Sequence, residues 1–186
     1  MKVYFLPLLL LLGTAALAQQ QTAPSTSAIL KEATTVAAKE NKKVFLIFHA
    51  SWCGWCHKMD TAMSTLPCKP LFDKNFVVRH IVVKETDKHK ADENAGGDEL
   101  MAEYGAGRSG IPYWIIFDKN GKALADSQIR PDGADMHTSG ENVGCPASEK
   151  EVNYFIKVLK QTAKLSDKEL ATITARFRKI ETDMRH

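Results

Sequence analysis

Val44-Phe45-Leu46-Ile47-Phe48-His49-Ala50-Ser51-Trp52-Cys53-Gly54-Trp55-Cys56-His57 is the stretch that decides how this chain is read. Its first five residues form a continuous apolar run rich in β-formers, which predicts a buried strand. A short break follows, then two cysteines three positions apart at the start of a helix that should run from Cys53 to about Thr65 and stop before Pro67. Two thiols at that spacing can close into a disulfide and reopen reversibly. With His57 the same residues also spell C-x-x-C-H, the attachment sequence of a c-type haem, so two chemistries compete for one segment. Haem attachment needs a second axial ligand, usually Met or His. Both residue types occur elsewhere in the chain, so that requirement decides nothing.

What decides is Gly110-Ile111-Pro112-Tyr113, followed by Trp114-Ile115-Ile116-Phe117-Asp118 and the turn Lys119-Asn120-Gly121-Lys122. A W-C-x-x-C at a strand-helix junction with a later I-P segment before a hairpin resembles the thioredoxin-fold proteins, over roughly residues 44–155. The resemblance implies an α/β thioredoxin fold: a central mixed four-stranded sheet flanked by helices, here with an extra C-terminal helix. It also implies a cis bond at Ile111-Pro112 lying against the dithiol, where the Ile111 backbone can pair with an extended substrate segment. One departure stands out. Thioredoxins commonly carry a buried carboxylate six positions before the first cysteine; that position here is Ile47, and Glu32 and Glu40 on the first helix are the candidates to replace it.

The chemistry of exchange assigns roles to the two sulfurs. Cys53 sits at the helix start, where unpaired amides and the macrodipole favour a thiolate, so it is the expected accessible, attacking thiol. Cys56, a turn deeper, is the expected resolving thiol. Trp52 and Trp55 would present apolar surface to substrate beside Ile111 and Pro112, while His49, His57 and Lys58 are candidates for tuning the dithiol. Cys68 and Cys145 remain, either as buried free thiols or as a structural disulfide tying the segment after the dithiol helix to a later loop.

Met1 to Ala18 reads as a secretory signal, with Lys2 as the positive start, Leu8 to Leu12 as the apolar centre and Ala16-Leu17-Ala18 as the cleavage site. It is too short to span a bilayer, so no membrane span is expected after cleavage. Residues 19–26 form a polar, disordered lead-in, and 27–186 a single thioredoxin-like domain with a C-terminal helical extension. Ser27 fits an N-cap for a first helix ending near Asn41. Further strands are expected at Phe76 to Val83, Tyr113 to Phe117 and Ala123 to Ile129, the last two a hairpin across Asn120-Gly121. Glu85 to Asp98 reads as a solvated loop whose Asp87, Asp92 and Glu93 fit no calcium spacing, and no metal is expected. A short helix from Asp98 to Tyr104 ends at Gly105. Arg130 to Ala147 has no periodicity, and long loops of that kind are more often functional than not. Ser148 with Glu151 and Ser166 with Glu169 each fit a capping box before an amphipathic helix.

A formal net charge of +3, one unit of it from Lys2, gives no reason to expect nucleic acid or an anionic membrane as partner. Four cysteines in an exported chain suit an oxidising compartment, and the lack of any N-x-S/T acceptor leans towards the bacterial envelope, periplasmic or secreted. The residues therefore read as an exported thiol-disulfide oxidoreductase that needs no bound cofactor. Its partners would be cysteine-containing envelope proteins and a redox partner protein. A non-enzymatic thioredoxin-like binding module or chaperone, and a c-type haem electron carrier, are the rival readings.

Overall fold

The computed structural model describes residues 23–183; the expected leader at Met1 to Ala18, and the lead-in as far as residue 22, lie outside them. At the centre is β1 (Lys43–His49), which pairs parallel with β2 (Phe76–Val82) and antiparallel with β3 (Tyr113–Phe117); β3 in turn pairs antiparallel with β4 (Ala123–Asp126). The order β2-β1-β3-β4 makes a mixed four-stranded sheet. Alternation sends Phe45 and Ile47 to one face and Val44, Leu46 and Phe48 to the other, and both faces are covered. A strand buried on two sides needs apolar residues at every position, which is why this segment reads as an unbroken run.

On one face, α1 (Thr26–Glu40) and α4 (Gly97–Glu103) bring Ala33, Ala37 and Met101 onto the sheet. The other face carries α2 (Gly54–Ser64), α3 (Lys69–Asn75), α5 (Glu149–Thr162) and α6 (Asp167–Asp183). Phe45 meets Phe72, Phe76 and Phe155 edge to face, the arrangement aromatic quadrupoles favour. On α6 the apolar stripe Leu170, Ile173, Phe177 and Ile180 is buried, and the Phe177 ring lies 5.0 Å from that of Phe155. The last helix is therefore part of the core. Both C-terminal helices start on Ser-Glu boxes, Ser148 with Glu151 and Ser166 with Glu169.

Four local expectations change. The first helix is capped by Ser25, whose hydroxyl accepts from the Ala28 amide; Ser27 lies inside it, and Thr26 is buried with its hydroxyl on the Asn94 carbonyl. A separate helix, α3, follows Pro67: Pro70 falls in its first turn, where a missing amide donor costs nothing. Asp87–Asp92 is a 3₁₀ turn with no buried residue, set within the expected solvated loop.

The fourth change is the largest. The strand expected to run from Ala123 to Ile129 breaks at Ser127, because the Ser127 hydroxyl takes the Trp114 amide and its carbonyl turns to accept from Val143. The chain then leaves the main sheet, and β5 (Gln128–Ile129) pairs antiparallel with β6 (Glu141–Asn142). The segment from Arg130 to Ala147 thus forms an arm with its own ladder. It is bolted down by Arg130, which pairs with fully buried Asp126 and also donates to the carbonyls of Tyr104, Met136 and Thr138. Tyr113 donates to the same carboxylate, and burial, reinforced by that charge, raises its phenol pKa well above the ordinary value.

Candidate functional site

The dithiol lies at the end of β1, where the chain turns into α2. Cys53 is the N-cap of α2 and is disulfide-bonded to Cys56; its sulfur also accepts from the Cys56 amide at 3.2 Å. That geometry places Cys53 Sγ among the unpaired amides of the first helical turn, which stabilise negative charge when the bond is reduced. Expected as the accessible sulfur, Cys53 is 3% exposed against 1% for Cys56, so exposure hardly separates them. Position does: Cys53 Sγ lies 3.6 Å from the Ile111 carbonyl oxygen, across the cis Ile111-Pro112 bond from the rest of the loop.

Around this pair the surface is apolar. Trp52 and Trp55 are 56% and 40% exposed, unusual for rings of that size. Trp52 is anchored by its indole N-H on the Lys84 carbonyl, and the Lys58 ammonium sits 5.9 Å from the Trp55 ring centroid, a cation-π distance. A groove of about 370 Å³ runs between Trp55 and Ile111-Pro112 on one side and the Asn142–Cys145 segment on the other.

His57 is not free to act as a ligand in this arrangement, because its Nε2 is 2.9 Å from the Ser51 carbonyl and donates to it. The Ser51 amide and hydroxyl both go to Glu85, which holds the Glu85 carboxyl below the usual range. His49, at the end of β1, has its ring 4.8 Å from that of His80 at a tilt of 57°, and His80 Nε2 is 2.7 Å from Asp60 on α2. Burial lowers the His49 pKa, with His80 and His57 adding to the effect and Asp60 and Glu85 opposing it.

Neither candidate replacement for the missing carboxylate reaches the dithiol. Glu32 makes a two-pronged pair with Arg79 and Glu40 pairs with Lys42, both on the side of the sheet covered by α1. Ile47 itself is buried in the apolar cluster under α2. Of the two alternatives open for Cys68 and Cys145, the structure has free thiols packed in that same cluster and not a bridge. Burial raises the pKa of Cys68 and pushes that of Cys145 up to about 12, so each is an inert thiol that packs as a small hydrophobe. Among the described residues no group of three or more His, Cys, Asp or Glu side chains is gathered as a metal site, and no helix is long and apolar enough to cross a membrane.

Sequence reasoning missed Glu85, Asp60 with His80, and Asn142. Asp60 and His80 stand on different elements, and no spacing connects them. Glu85 was taken for part of a solvated face; its one visible signal is its place three residues past the end of β2, which runs beside the dithiol strand.

Solved structures of similar fold include a disulphide isomerase from Xylella fastidiosa Temecula1, at 21% identity and TM-score 0.46, covering 83% of this chain and 89% of that chain. The C-terminal domain of Neisseria meningitidis DsbD in the oxidised form is similar at 18% identity and TM-score 0.41, covering 76% of this chain and 99% of that chain. A thioredoxin from Thermus thermophilus is similar at 23% identity and TM-score 0.39, covering 75% and 85%. No curated protein is a significant match. A family model described as thioredoxin-like matches residues 26–119, half of the chain, running from the first helix through the dithiol and the Ile111-Pro112 loop, and on that match the chain belongs to the thioredoxin-like family.

Proposed function

We propose that this chain is an exported thiol-disulfide oxidoreductase that exchanges disulfides with cysteine-containing envelope proteins. The observation that carries the reading is the disulfide-bonded pair on the first turn of α2, with Cys53 facing the Ile111 carbonyl beside an apolar groove. In the reducing direction, Cys53 thiolate attacks one sulfur of a substrate disulfide. A Cys53–substrate bond forms, the substrate bond breaks, and the departing sulfur leaves as thiolate. Cys56 then loses its proton and attacks Cys53 Sγ, which restores the Cys53–Cys56 disulfide and releases the second substrate thiol. Two electrons have passed to the substrate. The oxidising direction is the same sequence reversed.

Trp52, Trp55 and Pro112 would form the apolar platform for the substrate, and the Ile111 backbone the edge on which an extended segment pairs. His49, held neutral by its surroundings, would add no positive potential at neutral pH, and the helix N-terminus at which Cys53 sits would stabilise the thiolate. Export rests on the leader expected at Met1 to Ala18. The haem reading is disfavoured because both sulfurs are joined to each other and His57 is turned onto Ser51.

The test is a pair of single variants. Cys53→Ser should abolish reduction of insulin, whereas Cys56→Ser should accumulate mixed disulfides on Cys53 that a reducing gel resolves. If Cys56→Ser turned over normally, or Cys53→Ser trapped substrate, the assigned roles would be reversed.

A further inference from the structure

We infer that Asn142, on the arm beyond the hairpin, is a positioning residue that holds the substrate-pairing edge against the dithiol; the inference rests on the oxidoreductase reading above. Its side-chain amide donates to the Gly110 carbonyl at 2.9 Å and to the Pro112 carbonyl at 3.2 Å. Its oxygen accepts from the Ser127 hydroxyl at 2.7 Å and from the Gly144 amide at 3.1 Å. All four hydrogen-bonding positions of the amide are therefore used, and the other orientation would put oxygen against two carbonyls.

The two carbonyls that Asn142 takes lie on either side of Ile111. The carbonyl it leaves alone is that of Ile111, which faces Cys53 Sγ. A clamp on both neighbours fixes the plane of the peptide groups that an incoming strand must meet, without occupying the one beside the reactive sulfur. Close packing supports the same contact: Gly144 has φ +53°, and a Cβ there would stand 3.2 Å from the Pro112 oxygen, so the arm lies directly on the loop.

What makes the clamp rigid is the rest of the arm. The Trp114 indole N-H donates to the Gly144 carbonyl and the Trp114 amide to Ser127, so the two partners that orient Asn142 are themselves tied to β3. The Arg130–Asp126 pair anchors the arm's other end. A fully satisfied polar network of this kind holds one geometry. Pre-organised pairing groups then lower the ordering cost of binding an extended chain, which is an affinity effect specific to substrates that have a backbone to pair.

The experiment compares Asn142→Asp, Asn142→Ala and Ser127→Ala with wild type on two substrates. One is a disulfide joining two short cysteine peptides; the other is 2-hydroxyethyl disulfide, which has no backbone to pair. Loss of the clamp should raise KM for the peptide disulfide about tenfold in both Asn142 variants, the size of one lost hydrogen bond, and less in Ser127→Ala. The rate on 2-hydroxyethyl disulfide should change by less than about twofold, since only the loop's pairing geometry is lost. Equal losses on both substrates, or an unchanged peptide KM in both Asn142 variants, would overturn the inference while leaving the oxidoreductase reading intact. A wild-type protein inert towards both disulfides would sink that reading and the inference with it.

Discussion

Replacing Arg130 with Ala takes away the guanidinium paired with a carboxylate that has no solvent contact. The two side chains are 9% and 0% exposed, and the guanidinium makes two 2.7 Å bonds, one to each oxygen of Asp126. After the change Asp126 keeps the Tyr113 hydroxyl at 3.0 Å and the Gln128 amide at 2.9 Å, but both charge-assisted bonds are gone. Removing one partner of a buried ion pair typically costs about 3–5 kcal/mol, because the remaining charge stays desolvated. The carbonyls of Met136 and Thr138 lie near the surface, where water can replace the lost donors at little further cost. Against a typical total stability of about 5–15 kcal/mol the loss is large. With a urea slope of about 2 kcal/mol/M, the unfolding midpoint of the oxidised protein should fall by about 1.5–2.5 M. Adding Asp126→Asn to Arg130→Ala should recover part of the loss by removing the orphaned charge, and the effect should persist in high salt, which does little to a buried pair. A midpoint shift worth less than about 1 kcal/mol would refute the reasoning, since the residual donors would then suffice to hold the carboxylate.

Phe177→Ala should cost about 3–5 kcal/mol in the same urea experiment, whereas a partner-binding face would tolerate it with little loss. His49 offers a pH test. Its folded pKa lies below the ordinary 6.5, so its contribution to stability is fully present above that value and is lost as pH falls and the unfolded chain takes up the proton preferentially. His49→Gln should therefore flatten the decline in stability between about pH 7 and pH 5, and an unchanged slope would exonerate His49. Cys68 and Cys145 should resist iodoacetamide in the native oxidised protein at pH 8 and take up one label each once it is unfolded without reductant. Mass mapping that found the two peptides joined would restore the bridge.

Those features written in local patterning were legible. Val44 to Phe48 announces a two-sided strand because every position is apolar, Pro67 announces the end of a helix, and Ser148 with Glu151 announces the start of another. Ser25 and Ser27 show the limit of such rules: both are good caps one turn from apolar residues, and the choice fell to Thr26, which is buried against Asn94 and so belongs inside the helix. The helix after Pro67 went unassigned from sequence, although Pro70 in its first turn is compatible with a helix. The arm was illegible for a deeper reason. Its order comes from Arg130 reaching scattered carbonyls, and from Asn142 reaching Gly110 and Pro112, thirty and more positions away in sequence. Backbone acceptors carry no residue identity, so no motif can advertise them.

The dithiol's surroundings follow one arrangement once Ile47 is taken seriously. Where the family commonly places a carboxylate beneath the resolving thiol, this chain has an aliphatic residue packed in the same cluster as Met59 and Ala62 of α2. The floor of the site is apolar. Its polar groups instead stand at the rim: Glu85 on Ser51, His57 on the Ser51 carbonyl, Trp52 on the Lys84 carbonyl, and Asn142 on either side of Ile111. These contacts hold the backbone on both sides of Cys53 and leave its sulfur facing Ile111. Cys56 is 1% exposed above an apolar floor with no carboxylate beneath it, so its proton should pass to solvent or to the departing substrate sulfur. Resolution would then be coupled to substrate departure. Ile47→Asp, which restores an acid at that position, should speed release of the mixed disulfide relative to its formation, seen as a shorter-lived intermediate in quenched-flow labelling. An unchanged lifetime would show that proton removal from Cys56 does not limit resolution.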